Sequence, residues 1–183
     1  MPGAHLSRPS MPLPRPTGRT LRAALGAAVL CLAAVRPLAA QELGLPIGTA
    51  APAAAVQTLD GQPTDLARYV GKTPVLIEFW ASWCPNCKAL EPQLQRIARA
   101  QGTKIKLLGV AVSVNQTPQR AKLYAAKYKL PMELLWDAQG KASEAYDAPA
   151  TSYVVIVDRA GKVVYTGQGA DQKLEDAVQK ALR

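Results

Sequence analysis

The stretch Pro74-Val75-Leu76-Ile77-Glu78-Phe79-Trp80-Ala81-Ser82-Trp83-Cys84-Pro85-Asn86-Cys87-Lys88-Ala89-Leu90-Glu91-Pro92 joins two patterns. Residues 74–81 are dense in β-formers and barely alternate, which predicts a central strand buried on both faces. From Pro85 to Gln101 the apolar residues Leu90, Leu94 and Ile97 recur at helical spacing, and Gly102 follows as a stop. Cys84 therefore stands where a strand ends, and Pro85 suits the first helical position. Two cysteines three apart at a helix start can close a disulfide with Cα atoms about 5.5–6 Å apart. Unpaired backbone N–H groups and the helix dipole favour a thiolate on Cys84. Cys87 is expected inside the first turn, more buried and less acidic. On this reading Cys84 attacks a substrate disulfide and Cys87 resolves the mixed disulfide by attacking Cys84.

Blander roles for the pair are weaker. Two cysteines make half of a Cys₄ zinc site, and no second pair is present, so zinc would need sharing between two copies. A purely structural bridge enclosing two residues restrains little of the unfolded chain, so its stabilising value is small. Trp80, inside the strand, reads as core. Trp83, next to the nucleophile, is placed to shield Cys84 and to offer an apolar contact to a protein substrate. Pro92, inside the helix, removes one backbone bond and is expected to kink it.

On either side, the remaining elements alternate. Ala54–Leu59 reads as a short strand closed by Asp60-Gly61, and Asp65–Val70 as a helical turn. Ile105–Val112 is a second buried strand, and Thr117-Pro118 caps a helix to about Lys129. Leu134–Trp136 is a short strand and Gly140–Tyr146 a short helix. Ser152–Val157 and Lys162–Tyr165 form an antiparallel hairpin about Asp158-Arg159-Ala160-Gly161, and Lys173–Leu182 closes the chain as a helix. The strand–helix–strand unit implies a parallel pair with a right-handed crossover. The expected class is α/β, a mixed sheet covered by helices on both faces.

The chain has 183 residues, with 22 Lys+Arg, 13 Asp+Glu, 49% hydrophobic residues and three cysteines. That is one domain's length, and too few cysteines for a disulfide-stapled scaffold. The first 40 residues differ from the rest. They carry five Arg and no acid, and Ala23–Val35 is a small, apolar run too short to span a bilayer. This is the layout of a cleavable signal peptide, with the cut expected after Ala40; an uncleaved N-terminal anchor or a lipid on Cys31 are the rival readings. The expected organisation is a signal peptide at 1–40, a Pro/Gly/Ala-rich lead-in at 41–53 and one domain at 54–183. Cleavage leaves 17 basic against 13 acidic residues, a soluble surface rather than a nucleic-acid or membrane footprint. It also removes His5, the only histidine, which excludes Ser–His and Cys–His nucleophile pairs and histidine-bound metals.

The run from Pro74 to Pro92, with its Trp-Cys-x-x-Cys-Lys and Pro92 downstream, resembles the thioredoxin superfamily, specifically exported TlpA-like thiol–disulfide oxidoreductases. Gly48–Pro52 and the turn Val157–Gly161 match as well, so the resemblance covers about residues 45–183. It implies a thioredoxin-like fold and no cofactor or metal. The substrates it implies are disulfide-containing exported proteins, reached in the periplasm or an equivalent exported space. A membrane thiol-transferring protein is implied as the reductant. Glu78, six residues before Cys84, resembles in spacing the buried acid of thioredoxin, which implies that it accepts a proton from Cys87 during resolution. The alternative is that Glu78 pairs with a lysine at a strand end, Lys72 or Lys106. The superfamily's cis-proline opposite the nucleophile has two candidate counterparts. Either Pro149 is that residue behind a short insertion, or Thr151-Ser152 faces Cys84 without a proline. Two other functions stay open on this fold: a peroxidase using Cys84, and a non-enzymatic copper-delivery or assembly factor.

Overall fold

A computed structural model describes residues 44–183. The expectations for residues 1–40, His5 and Cys31 among them, lie outside the described residues. Seven strands and four helices follow one another: β1 (Ala55–Thr58), β2 (Pro63–Asp65), β3 (Val75–Trp80), α1 (Pro85–Gln101), β4 (Lys106–Val112), α2 (Pro118–Tyr128), β5 (Glu133–Asp137), α3 (Lys141–Ala145), β6 (Tyr153–Val157), β7 (Val163–Gly167) and α4 (Leu174–Ala181). The strands form one mixed sheet in the order β2-β1-β5-β4-β3-β6-β7. The parallel centre is β3, β4 and β5, and β6 joins β3 antiparallel.

β3 is buried at all six positions, as its apolar run predicts. Alternate residues face opposite sides of the sheet. Val75, Ile77 and Phe79 join Leu108, Val110, Leu135, Val155 and Tyr146 in one core cluster, which α3 and the segment at 66–70 cover. Leu76 packs with Leu90, Leu94 and Ile97 of α1 and with Leu174 and Val178 of α4. Trp80 packs with Cys84, Cys87 and Ala121 of α2. Each of these large side chains contributes roughly 1.5–3 kcal/mol on burial, so the centre of β3 is a rigid base for the turn that follows it.

One detail differs from the pattern read along the chain. Pro63–Asp65 is an edge strand antiparallel to β1, and of the helical turn expected over Asp65–Val70 only Leu66–Arg68 winds into a 3₁₀ turn. The Asp65 side chain accepts from the Ala67 N–H at 2.8 Å and caps that turn. Pro63 is tolerated because the strand lies at the sheet edge. α1 spans Pro85–Gln101 as its spacing predicts and continues through Pro92. Among the described residues, no helix is long and apolar enough to cross a membrane.

Candidate active site

β3 ends at Trp80, and the chain turns through Ala81–Cys84 into α1. The Cys84 N–H donates to the Ala81 carbonyl at 3.1 Å. Gln116, buried in the loop after β4, clamps the turn: its Oε1 accepts from the Ser82 N–H at 3.0 Å, and its Nε2 donates to the Val112 carbonyl at 2.7 Å. Cys84 is the N-cap of α1 in an extended conformation, and Pro85 takes the first helical position. Cys84 and Cys87 are joined by a disulfide, with Cα atoms 5.3 Å apart. The Cys87 N–H points at the Cys84 sulfur, 3.1 Å away, so one orphan donor of the helix terminus is aimed at the outer sulfur. The two sulfur residues are equally buried, each at 5% exposure. The expected difference in burial between them is absent in the disulfide form, because the turn before α1 and the loop at Gln116 enclose Cys84 as well.

Trp83 is 41% exposed, and its indole N–H donates to the Val114 carbonyl at 2.9 Å. That bond holds the ring over the loop after β4. There Trp83 lines an apolar groove of about 450 Å³ with Val112, Val114, Ala148, Ala150 and Thr151.

Glu78 lies on the α1 side of β3, two residues before Trp80, at 1% exposure. Its cross-strand neighbours are Gly109 on β4 and Val154 on β6, neither of which carries a charge. The lysine pairing considered for it does not form. Lys106 binds Glu133 at 2.5 Å instead, and Oε1 of Glu78 has no hydrogen-bond partner. Burial, followed by repulsion from Glu91, pushes the Glu78 carboxyl up to about 8.

The candidate Pro149 is not brought to the site as a cis residue. All peptide bonds of the described residues are trans, and Pro149 is exposed. The position immediately before β6 is held by Ser152, fully buried in the left-handed region at φ 64°. Its N–H donates to the Phe79 carbonyl at 2.8 Å, one residue short of the end of β3. A non-glycine residue adopts this conformation only where its surroundings impose it. Here Gln172 does so, donating from Nε2 to the carbonyls of both Ser152 and Gly169 at 2.8 Å, while the Gly169 N–H donates to the Ser152 hydroxyl at 3.1 Å. The left-handed residue and its side-chain tether redirect the chain where a cis bond was expected to do so.

Three residues of this neighbourhood are absent from the sequence reading. Gln116 and Gln172 reach their places through loops, and no local spacing marks them. Glu91 did carry a signal, since it lies four residues after Cys87 and so on the same face of α1.

A family model described as Redoxin matches residues 46–182. The chain is 27% identical over 126 residues to the thiol-disulfide oxidoreductase ResA of Geobacillus thermodenitrificans, covering 67% of this chain and 70% of that protein. It is 25% identical over 138 residues to the thioredoxin-like protein YneN of Bacillus subtilis, covering 74% and 80%. A crystal structure from Chlorobium tepidum, provisionally assigned as the thiol:disulfide interchange protein DsbE, superposes with a TM-score of 0.66 at 26% identity, covering 76% of this chain and 99% of that one. A secreted Mycobacterium tuberculosis disulfide oxidoreductase homologous to DsbE superposes with a TM-score of 0.58 at 27% identity, covering 70% and 92%. With a matched span that runs from before β1 to the end of α4, the chain belongs to the Redoxin family, as a TlpA-like member of the thioredoxin superfamily.

Proposed function

We propose that this thiol–disulfide oxidoreductase reduces disulfides of exported proteins and is recharged by a membrane thiol-transferring protein. The observation that carries the reading is the Cys84–Cys87 pair itself, closed across the first turn of α1 with a helix N–H on its outer sulfur.

In the forward direction the Cys84 thiolate attacks a substrate disulfide. A Cys84–substrate bond forms, and the first substrate sulfur leaves as a thiolate that takes a proton from water. Cys87 then gives its proton to the Glu78 carboxylate, and its sulfur attacks Cys84. The second substrate thiolate leaves, two electrons have passed to the substrate, and the protein is left as the disulfide with Glu78 protonated. Recharging reverses these steps: a donor dithiol supplies two electrons, and Glu78 returns its proton to the Cys87 sulfur. The high proton affinity of Glu78 in the disulfide form supports the protonated end state. Trp83 and the apolar groove beside it supply contact for the polypeptide that flanks the substrate disulfide.

Reduction of insulin by the dithiol form tests the reading. Cys84→Ser is expected to abolish it, and Cys87→Ser to accumulate a mixed disulfide on Cys84. Equilibration with glutathione is expected to return a potential well below about −200 mV; a value near −120 mV would assign the protein as an oxidant instead. Consumption of hydroperoxide by the purified chain without insulin reduction would replace the reading with a peroxidase.

A further inference from the structure

The ladder between β3 and β4 runs out at the pair Trp80 and Ala111, and the two chains part there. One enters the turn at 81–84 and then α1; the other enters the loop at 113–117 and then α2. A parting ladder leaves main-chain groups without strand partners. The side-chain amide of Gln116 takes them up. Its Oε1 accepts from the Ser82 N–H at 3.0 Å, and its Nε2 donates to the Val112 carbonyl at 2.7 Å, with the Trp80 carbonyl also in reach at 3.5 Å. One amide, at 9% exposure, thus stands where a further rung of the ladder would.

The loop holds that amide in place from both sides. Asn115 sits in the left-handed region at φ 54°, which asparagine tolerates better than most residues, and the chain turns there so that Gln116 reaches back to Val112. Thr117 is extended and caps α2, accepting from the Arg120 N–H at 3.2 Å, and Pro118 follows at the first helical position. The Trp83 indole ties to the Val114 carbonyl of the same loop. Ala121 of α2 shares one packed cluster with Cys84 and Cys87.

We propose that Gln116 is a positioning residue for the nucleophile: by holding the Ser82 N–H, it keeps Cys84 in the N-cap geometry that turns its sulfur to the Cys87 N–H. Cys84 has φ −83° and ψ 112°, and its sulfur lies 3.1 Å from that nitrogen. The turn closes on itself through one main-chain bond, from the Cys84 N–H to the Ala81 carbonyl. Without Gln116 other conformations open to it, and in those the Cys84 thiolate of the dithiol form loses a helix-terminus donor that stabilises it. The partners of Gln116 are all main-chain groups, and it bonds none of the ionisable side chains on β3, α1 or α2. It therefore acts through geometry and not through charge. This deepens the redox reading above and rests on it for the use of the thiolate, although the reactivity of Cys84 is measurable without any substrate.

The test is iodoacetamide alkylation of the dithiol form of the full chain across pH, read at Cys84 by peptide mass. Gln116→Met keeps the length of the side chain and loses both bonds. At about pH 6 it is expected to react about three- to tenfold more slowly than the native chain. Near pH 9.5 the thiol is ionised in both chains, and the two rates are expected to converge. Val178→Ala opens a cavity in the α1–α4 cluster, which contains neither cysteine, and shows what lost stability alone does. It is expected to melt lower than the native chain and to keep the native alkylation profile. A native profile in Gln116→Met, a fall of equal size at every pH, or the same change in Val178→Ala overturns the proposal. If Gln116→Met does not fold, amide exchange of the native chain decides. The Ser82 N–H is expected to be protected about tenfold or more in the dithiol form as in the disulfide form, and free exchange there overturns the proposal. Insulin reduction is run alongside: a native chain inactive there removes the redox reading, while the alkylation profile still decides the role of Gln116.

Discussion

At Glu78 the needs of folding and of chemistry oppose each other. A carboxyl at 1% exposure with an unpartnered oxygen gains nothing from being charged. In the unfolded chain it titrates near its ordinary 4.5, and in the fold near about 8. Below the lower value both states hold the proton, and the group has no effect on stability. As pH rises from there toward about 8, the unfolded chain releases a proton that the folded chain keeps, so stability falls; above that value the loss levels off. The full loss is on the order of a few kcal/mol. Glu78→Gln is therefore expected to flatten the decline, gaining on the native protein between about pH 5 and about pH 9 in urea unfolding. A constant gap between the two proteins across that range would contradict a buried, proton-holding acid. Glu78 was legible in the sequence because it is the one charge in an apolar run, and the cysteine pair because three residues and a proline set it at a helix start. Glu91 was less so, since acids on helix surfaces are common, and only the fold brings the Tyr124 hydroxyl of α2 to this one. Pro149 shows the opposite case: a residue type with a strong meaning sat near the expected place, and a left-handed serine took the role through contacts seventeen and twenty residues away.

Strands and helices set these residues through close approaches that tolerate little change. Gly109 of β4 faces Glu78, and a Cβ there would lie 2.6 Å from the Met132 sulfur and 2.9 Å from both Leu134 Cδ2 and Trp80 Nε1. Gly109→Ala is expected to cost about 1–3 kcal/mol and to displace the Trp80 indole, read as a loss of melting temperature together with a changed near-ultraviolet tryptophan spectrum. The segment before β6 depends in the same way on the loop before α4. The Gln172 carbonyl accepts from Gln93 of α1 at 2.7 Å, so one glutamine ties α1, the 169–172 loop and the entry to β6 together. Gln172→Ala leaves the buried Ser152 carbonyl and the part-buried Gly169 carbonyl without that donor and is expected to destabilise the chain by about 1–3 kcal/mol in chemical unfolding. Stability within a few tenths of a kcal/mol of native would mean that Ser152 keeps its conformation by other contacts. The helix starts were readable from Thr117-Pro118 and Cys84-Pro85. β2 was not, because three residues headed by a proline carry no period, and only pairing with β1 makes them a strand.

For the whole molecule, the sequence marked the parallel β3–α1–β4 unit and the closing hairpin, since both are local. It did not mark that β1 and β2 return beside β5 at the far edge of the sheet, a pairing across more than seventy residues. The central position of β3 has a thermodynamic consequence for the direction of electron flow. Folding stability and reduction potential are linked through a closed cycle: whichever redox form the fold stabilises more shifts the potential, about 30 mV for each 1.4 kcal/mol. In the disulfide form both sulfurs are buried at 5% exposure against Trp80, Ala81 and Ala111. Opening the bond would leave a Cys84 thiolate in that apolar setting, which raises its energy. Main-chain N–H groups at the α1 terminus oppose this, but the described residues contain no histidine, and the Lys88 amine is over the Tyr128 ring. The oxidised chain is accordingly expected to be the more stable form by about 1–2 kcal/mol, visible as a melting temperature a few degrees above that of the chain in excess dithiothreitol. A strong oxidant behaves the other way, because its reduced form is the stabilised one. A reduced chain that melts higher than the oxidised one would therefore reverse the proposed electron flow, and the same disulfide would be one that the protein gives away.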